Sequence, residues 1–267
     1  MKPKQILTIA LVVGVGLYFA INAKQQMNKI ENNYETVKGD PLKARIYTLD
    51  NGLKVYLTSY DDAPRVQTNI AVRAGSKNDP ADATGLAHYL EHMLFKGTKE
   101  RPSPLLVTSP IESTGGVLNA STGYESTTYW CQIPKDDFST GVEILLDMVQ
   151  NSLMKVHDIN LERGVVIEEI KSIEDYPDSK AALNLDRLMW GNTALGRDIA
   201  GSVQSVNDIN RIKITNFMNQ LYSPANIVIS IAGNVTHEAA LKAIENQFLG
   251  KYPKAIRNGY KKLEVSQ

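Results

Sequence analysis

The chain has 267 residues, with 29 Lys and Arg against 29 Asp and Glu, four His and one Cys. Balanced charge offers no electrostatic basis for nucleic-acid binding, because phosphate backbones are recognised by basic surfaces. A single cysteine also excludes an intrachain disulfide. About 220 residues follow residue 45, which is enough for one sizeable domain.

The first 23 residues predict a membrane-directing leader. Lys2 and Lys4 precede residues 6–21, which carry no charge. This run lies between the core of a signal peptide and a comfortable membrane span in length. Ile21 would occupy a cleavage position that prefers a small residue, so we expect an uncleaved signal anchor with the lysines cytoplasmic and the remainder exported. A cleaved signal peptide, leaving a secreted or periplasmic protein, is the alternative.

The rest of the chain predicts strands and helices in one α+β unit. Residues 24–45 read as a polar linker, followed by two strands joined by a turn at Asp50-Asn51-Gly52, and a strand over 66–74. A helix at His88 and a short helical stretch over 104–113, interrupted by Pro110, precede a hairpin that turns at Gly123-Tyr124. Further helices are expected over 138–153, 159–175, 181–190, 207–221 and 237–248, with a strand over 226–232. We therefore expect a mixed, mostly antiparallel sheet with helices on one face, preceded by an N-terminal hydrophobic helix.

Residues 88–92 read His-Tyr-Leu-Glu-His and contain two of the four histidines. On a helix, His88 and His92 lie four residues apart on one face, so both imidazoles can reach one small cation. Glu91 lies beside them and is free to act as a base, which predicts a metal-dependent hydrolase with a third protein ligand elsewhere. The alternative is two surface histidines with a solvated glutamate between them.

The flanking residues favour a helix at this motif. Asp82 or Thr84 can cap its start and Gly97 can end it. The histidines lie beside the apolar stripe, at the margin of the expected core. The stripe consists of Leu86, Leu90, Met93 and Leu94.

The segment 161–170 is the best source of the third ligand. Glu162 and Glu169 lie on one helical face, about 20° apart in rotation and roughly 10 Å apart along the axis. One of them can ligate the ion, and the other cannot easily do so too. Glu168 is rotated by about 100° from Glu169 and should point elsewhere. Alone, this segment also fits a solvated acidic face.

Several motifs in order resemble one known family. They are GLAHYLEHMLFKGT at 85–98, ERGVVIEE at 162–169, YTLDNGLKVYL at 47–57, GGVLNAST at 115–122 and YSPANIVISIAG at 222–233. From about residue 46 to residue 252, the chain closely resembles the pitrilysin (insulinase) zinc peptidases, the inverzincins, which include the mitochondrial processing peptidases.

The resemblance implies roles for the charged residues. It assigns one zinc ion per chain to His88, His92 and Glu169. It makes Glu91 the catalytic base, which takes a proton from a water that zinc acidifies and passes it to the leaving amine. Glu162 is implied as a further catalytic carboxylate, best placed to orient a ligand.

The resemblance also assigns a role to the hairpin. Its edge strand, at Asn119 and Ala120, is implied to pair with an extended peptide and to hold the scissile bond beside the metal. Strand addition gives affinity through main-chain bonds and leaves side-chain choice to pockets. An ordinary sheet hairpin is the alternative.

Similar peptidases have two related halves that close around a chamber. The chain ends at Gln267, soon after one half is complete. We therefore expect residues 46–255 to form the catalytic half domain and 256–267 to be a tail or the start of a linker, with the second half in another subunit or in a missing C-terminal part.

We thus expect a zinc metalloendopeptidase that acts on peptides or small unfolded segments and is membrane-tethered through residues 6–21. A non-catalytic partner subunit and a peptide-binding module with structural zinc are the alternatives. Four intact site positions argue against the former, and only three protein ligands argue against the latter.

Overall fold

The computed structural model describes residues 33–248, so the predicted hydrophobic helix within 1–23 and the tail at 256–267 lie outside the described part. Within it, the strands are β1 (Tyr34–Thr36), β2 (Arg45–Thr48), β3 (Lys54–Ser59), β4 (Arg65–Val72), β5 (Val117–Thr122), β6 (Thr127–Pro134) and β7 (Ile227–Gly233). They form one sheet with the order β1-β2-β3-β7-β4-β6-β5. All neighbouring strands are antiparallel except β3 and β7.

The described helices are α1 (Leu86–Leu94), α2 (Pro104–Glu112), α3 (Phe138–Asn151), α4 (Val156–Asp175), α5 (Pro177–Trp190), α6 (Val203–Asn207), α7 (Arg211–Leu221) and α8 (His237–Phe248). The combination of one mixed sheet with helices is therefore confirmed. Helices α1 and α4 matter most for the site.

The core lies on one face of the central strands. Along β4, buried residues alternate with half-buried ones, and the buried set is Val66, Thr68, Ile70 and Val72. Side chains alternate between the faces of a strand, so this period of two marks a sheet with one well-covered face. Cys131 is fully buried on β6, as expected for a small core residue.

Three local details differ from the sequence expectation. Pro110 lies inside α2, which continues past it to Glu112, although proline usually interrupts a helix at such a position. The helix expected over 207–221 begins at Arg211, since the Asn210 side chain accepts from the backbone N–H groups of Ile212 and Lys213 and caps α7 there. Residues 34–36 of the expected linker form the edge strand β1.

Within residues 33–248, none of the helices has both the length and the apolar composition that crossing a bilayer requires.

Candidate metal centre

Helix α1 presents both histidines beside the core. Six of its nine residues are buried, which fixes the helix from most sides. His88 and His92 lie off that buried set, with side chains only 12% and 19% exposed. Their Nε2 atoms are 3.3 Å apart and point to a common position. Packing of the apolar residues therefore aims two imidazole nitrogens at one place.

The start of α1 is capped by a residue that the sequence did not indicate. Asp79 accepts hydrogen bonds from the backbone N–H groups of Gly85, at 2.7 Å, and Ala87, at 2.9 Å. Gly85 has φ +88°, and a Cβ there would lie 2.3 Å from the Ala200 carbonyl oxygen. A side chain is thus excluded where α1 meets the 198–202 loop.

The expected caps, Asp82 and Thr84, are wrong. Asp82 forms an ion pair with Lys213, and the Thr84 hydroxyl donates to Ser205 Oγ. Gly85 adopts a left-handed conformation that turns the chain, so a carboxylate six residues upstream reaches the helix N-terminus instead. Gly97 does have positive φ, but α1 ends at Leu94, before it.

Glu169 on α4 completes a group of three possible metal ligands. Its Oε1 lies 3.6 Å from His88 Nε2, and its Oε2 lies 3.5 Å from His92 Nε2. Ligand atoms that lie about 2.0–2.2 Å from a tetrahedral ion are about 3.3–3.6 Å from one another. The 3.3 Å between the histidine nitrogens and the distances from Glu169, which involve a different carboxylate oxygen for each histidine, therefore lie in the range of donors around one zinc ion. Among residues 33–248, these three side chains form the one group of three or more His, Cys, Asp or Glu residues whose ligand atoms lie close enough together to hold a metal ion.

Glu162 lies one layer behind these donors and is buried. The His92 Nδ1–H donates to its Oε1 at 2.9 Å, and Lys96 forms an ion pair with its Oε2. Burial raises the pKa of Glu162, but these hydrogen bonds and the Lys96 charge outweigh it and hold the pKa below the usual range. An ionised partner at Nδ1 keeps the Nε2 lone pair of His92 directed at the metal position.

The two histidines have different electrostatic environments. Burial, together with the charge of His92, lowers the pKa of His88 to about 4. Burial also acts to lower the pKa of His92, but Glu162, Glu169 and Glu91 overcome it and raise that pKa. His88 Nδ1 is buried and has no hydrogen-bond partner among the described residues. His88 is thus held as a neutral imidazole, the form that binds metals.

Glu91 borders a cleft of about 520 Å³ together with His88 and Glu169. Burial raises the pKa of Glu91, although a hydrogen bond from Thr122 opposes the shift. Ser121 and Thr122 of β5 line the same cleft, and residues of α5 and of the 198–200 loop form the opposite wall. A carboxylate next to the metal position therefore faces space that a substrate can enter.

The chain matches two family models. The model of insulinase, peptidase family M16, matches residues 54–203, and the model of the peptidase M16 inactive domain matches residues 208–266. The chain belongs to the insulinase family of peptidases. The five site residues His88, Glu91, His92, Glu162 and Glu169 all lie within the first match.

The chain covers about half of each of three similar proteins. An uncharacterised zinc protease of Streptomyces coelicolor is 32% identical over 229 residues, which is 86% of this chain and 48% of the relative. The beta subunit of the Dictyostelium discoideum mitochondrial-processing peptidase is 35% identical over 206 residues, 77% of this chain and 44% of the relative. An M16-like peptidase from Alicyclobacillus acidocaldarius has a TM-score of 0.72 at 28% identity, covering 79% of this chain and 51% of that one. The chain spans about half the length of these relatives.

The structure brings five of the residues expected in this insulinase-family site together. These are His88, Glu91, His92, Glu162 and Glu169. Asn119 and Ala120 lie on the outer strand β5, further along from the cleft than Ser121 and Thr122. Glu168 points away and pairs with Lys171 on the exposed side of α4, as expected.

Three further residues contact the site residues or α1 and were given no role from the sequence. Lys96 and Thr122 lie inside the family motifs at 85–98 and 115–122, and Asp79 lies before both motifs. Each reaches a partner on another element, or several residues away across a turn, so no spacing rule points to the contact. The only available signal was their position within or beside the family motifs.

Proposed function

We propose that this chain is the catalytic half of a zinc-dependent endopeptidase. One observation carries the proposal: two imidazole nitrogens and a carboxylate lie at tetrahedral-ligand spacing beside Glu91, which remains outside that set and borders the cleft. Three protein donors and one open position are typical of catalytic rather than structural zinc sites. The zinc protease named among the relatives supports the choice of metal.

His88, His92 and Glu169 would hold the ion, and Glu162 would orient His92. Bound zinc supplies a Lewis acid that lowers the pKa of water toward about 7 and polarises the carbonyl group that is attacked. Glu91 then takes a proton from the attacking water and delivers it to the leaving amine, as a general base and then a general acid. Its half-buried position favours this role, because partial burial makes the carboxylate easier to protonate than an exposed glutamate.

The substrate proposed for this site is an extended peptide. β5 is the outermost strand beyond β6, and its residues alternate between exposed and half-buried. The backbone N–H of Ala120 donates to the Asn119 side-chain oxygen at 2.8 Å. A peptide that adds to this edge would compete for that N–H and align its main chain past the cleft.

A second half is part of the proposal, because the chain spans about half the length of its relatives. It is either covalently attached or a separate subunit. A non-catalytic partner subunit remains the alternative function, and the match of residues 208–266 to a domain described as inactive is the observation that favours it. The division into leader, linker, half domain and tail, and an exported, membrane-anchored location, stay predictions from the sequence.

Two measurements test the proposal: the zinc content of the protein and its hydrolysis of a quenched fluorescent peptide. Both are made with and without the second half. We expect one zinc per chain and hydrolysis that Glu91→Gln reduces by about 100-fold to 10,000-fold without loss of zinc. His88→Ala should lose both zinc and activity. His157→Ala, at an exposed position away from the site, is the matched control.

Full activity of Glu91→Gln would show that the base is misassigned. A chain that binds zinc but remains inert with every second half offered would favour the non-catalytic alternative.

A further inference from the structure

The side chain of Glu91 is held by a residue of the sheet rather than by its own helix. Thr122 Oγ1–H donates to Glu91 Oε2. Thr122 is the last residue of β5, so this hydroxyl belongs to the strand that is proposed to receive the peptide. The contact therefore joins the proposed base to the proposed substrate strand.

The strand holds Thr122 in a fixed place. Thr122 pairs with Thr127 on β6, and their Oγ1 atoms are 3.4 Å apart. Thr127 is fully buried and donates to the Ala74 carbonyl oxygen at 2.9 Å. Since Thr127 uses its proton on Ala74, the Thr122 proton is available for Glu91.

The turn that follows Thr122 is attached to the loop before α1. Ser76 N–H donates to the Gly123 carbonyl oxygen at 3.0 Å, and Lys77 N–H donates to the Tyr124 carbonyl oxygen at 3.1 Å. A Cβ on Gly75 would lie 2.4 Å from the Gly123 oxygen, so the two segments touch backbone to backbone. The hydroxyl is thus mounted on a rigid part of the sheet.

We propose that Thr122 is a positioning residue, whose hydroxyl holds Oε2 of Glu91 so that Oε1 is the oxygen that accepts the proton from water. This inference rests on the proposed function of Glu91. In the step, an O–H bond of water breaks and an O–H bond forms at Oε1, and the Thr122 hydroxyl keeps its own proton throughout. The same proton then moves to the leaving amine.

The nearby metal position explains why the side chain of Glu91 requires a hydrogen bond that fixes its orientation. A free carboxylate next to a cation gains Coulomb energy by ligating it. Glu91 adjoins His92 in the chain, so a rotated side chain could turn toward the ion and block the position needed for water. The hydrogen bond from Thr122 to Oε2 opposes that rotation, because the rotation would break it. Because Thr122 belongs to β5, the same strand positions both the proposed base and the proposed peptide substrate.

Thr122→Val tests the proposal, because valine has the shape of threonine without the hydroxyl. The measurement uses the natural protein with its second half, zinc-loaded, and a quenched peptide. We expect kcat to fall by about tenfold to 100-fold, as for a displaced catalytic group, with KM, zinc content and melting temperature near their original values. Thr122→Ser should restore most of kcat.

Thr128→Val is the matched control. It makes the same change on β6, one residue from Thr127, at a half-buried position that is not among the residues lining the cleft. We expect it to leave kcat unchanged. In a Glu91→Gln background, Thr122→Val should add no further loss, because the hydroxyl acts only through Glu91.

An unchanged kcat in Thr122→Val would overturn the inference. Equal losses in Thr122→Val and Thr122→Ser, with a lower melting temperature, would also overturn it, because they would show a structural role of the strand. Failure of the proposed function is distinguished by the original protein, which would then be inactive, or by a Glu91→Gln variant that is fully active.

Discussion

The two helices that meet at the site are embedded in different ways. α1 buries six of its nine residues, so the core surrounds it. α4 is 20 residues long and buries four: Ile159, Glu162, Val166 and Ile170. Their spacing of three or four places them on one stripe, along which α4 packs. The histidine positions are therefore fixed by packing on many sides, whereas the position of Glu169 depends on a single contact stripe.

The two glutamates of α4 show what this difference means for chemistry. Glu162 lies on the buried stripe, with 6% of its side chain exposed, and is paired with His92 and Lys96. Glu169 lies on nearly the same face, but its side chain is 41% exposed and borders the cleft. One carboxylate is placed to orient a ligand, and the other is placed where an ion and water can enter.

The strongest test of this contrast is Glu169→Ala. Removing one of three protein donors should abolish stoichiometric zinc in metal analysis and reduce peptide hydrolysis by more than about 100-fold, beyond the effect expected for an outer-layer residue. Glu168→Ala is the matched control, since Glu168 is exposed and pairs only with Lys171 among the described residues. Zinc retained in Glu169→Ala would remove Glu169 from the ligand set.

Glu162→Gln should have the next largest effect. It keeps the size of the side chain but removes the charge that orients His92, so zinc affinity should fall by about tenfold to 100-fold. Competition with a chromophoric chelator measures it. Zinc affinity equal to that of the original protein would mean that the hydrogen bond to His92 does not tune the site.

Val166→Ala and Val165→Ala compare the buried and exposed sides of α4. Val166 is fully buried and Val165 is 52% exposed. We expect the buried change to lower the free energy of unfolding by about 2 kcal/mol, and the exposed one to stay within about 0.5 kcal/mol. Denaturant unfolding measures both. Equal effects would contradict packing along one stripe.

The last expected effect is a pH dependence at the cap of α1. Burial outweighs the hydrogen bonds from Ala87 and Gly85 and raises the pKa of Asp79 from 3.8 to about 7. Folding therefore retains a proton that the unfolded chain loses, and stability decreases as the pH rises from about 4 to about 7.

Asp79→Asn should flatten that dependence in unfolding curves recorded across this window. Asp82→Asn is the control. The Lys213 hydrogen bond lowers the pKa of Asp82, so any contribution of Asp82 to the pH dependence of stability lies at a lower pH than this window. A dependence that stays unchanged in Asp79→Asn would mean that another group titrates there.

Much of the site could be predicted, because three of its residues lie close together in the sequence. His88, Glu91 and His92 lie within a turn and a half of one helix, where backbone geometry alone sets their spacing. The hairpin strands β5 and β6 also follow from nearby residues and a short turn. Glu162 and Glu169 were harder, because they share a helical face and periodicity does not say which one lies at the metal position and which one binds the outer nitrogen of His92.

The contacts from Asp79, Lys96 and Thr122 could not be predicted in this way. Asp79 caps α1 across a left-handed turn at Gly85, and Thr122 reaches Glu91 from a strand 31 residues later in the chain. Lys96 meets Glu162 only because α4 lies against the end of α1. Each contact depends on how separate elements pack, which no local pattern encodes.

The amino-acid sequence by itself determined the family, the metal-binding motif and the mixture of one sheet with helices, because repeated spacing and residue type carry that information. The family resemblance assigned Glu169 to the metal and Glu162 to a supporting role, and only the tertiary structure decided how the side chains are placed: Glu169 borders the cleft, Glu162 lies behind His92, and the Thr122 hydroxyl holds Glu91. The physical reason is that helix geometry sets distances within an element, whereas burial and packing between elements set which side chains meet and in what charge state.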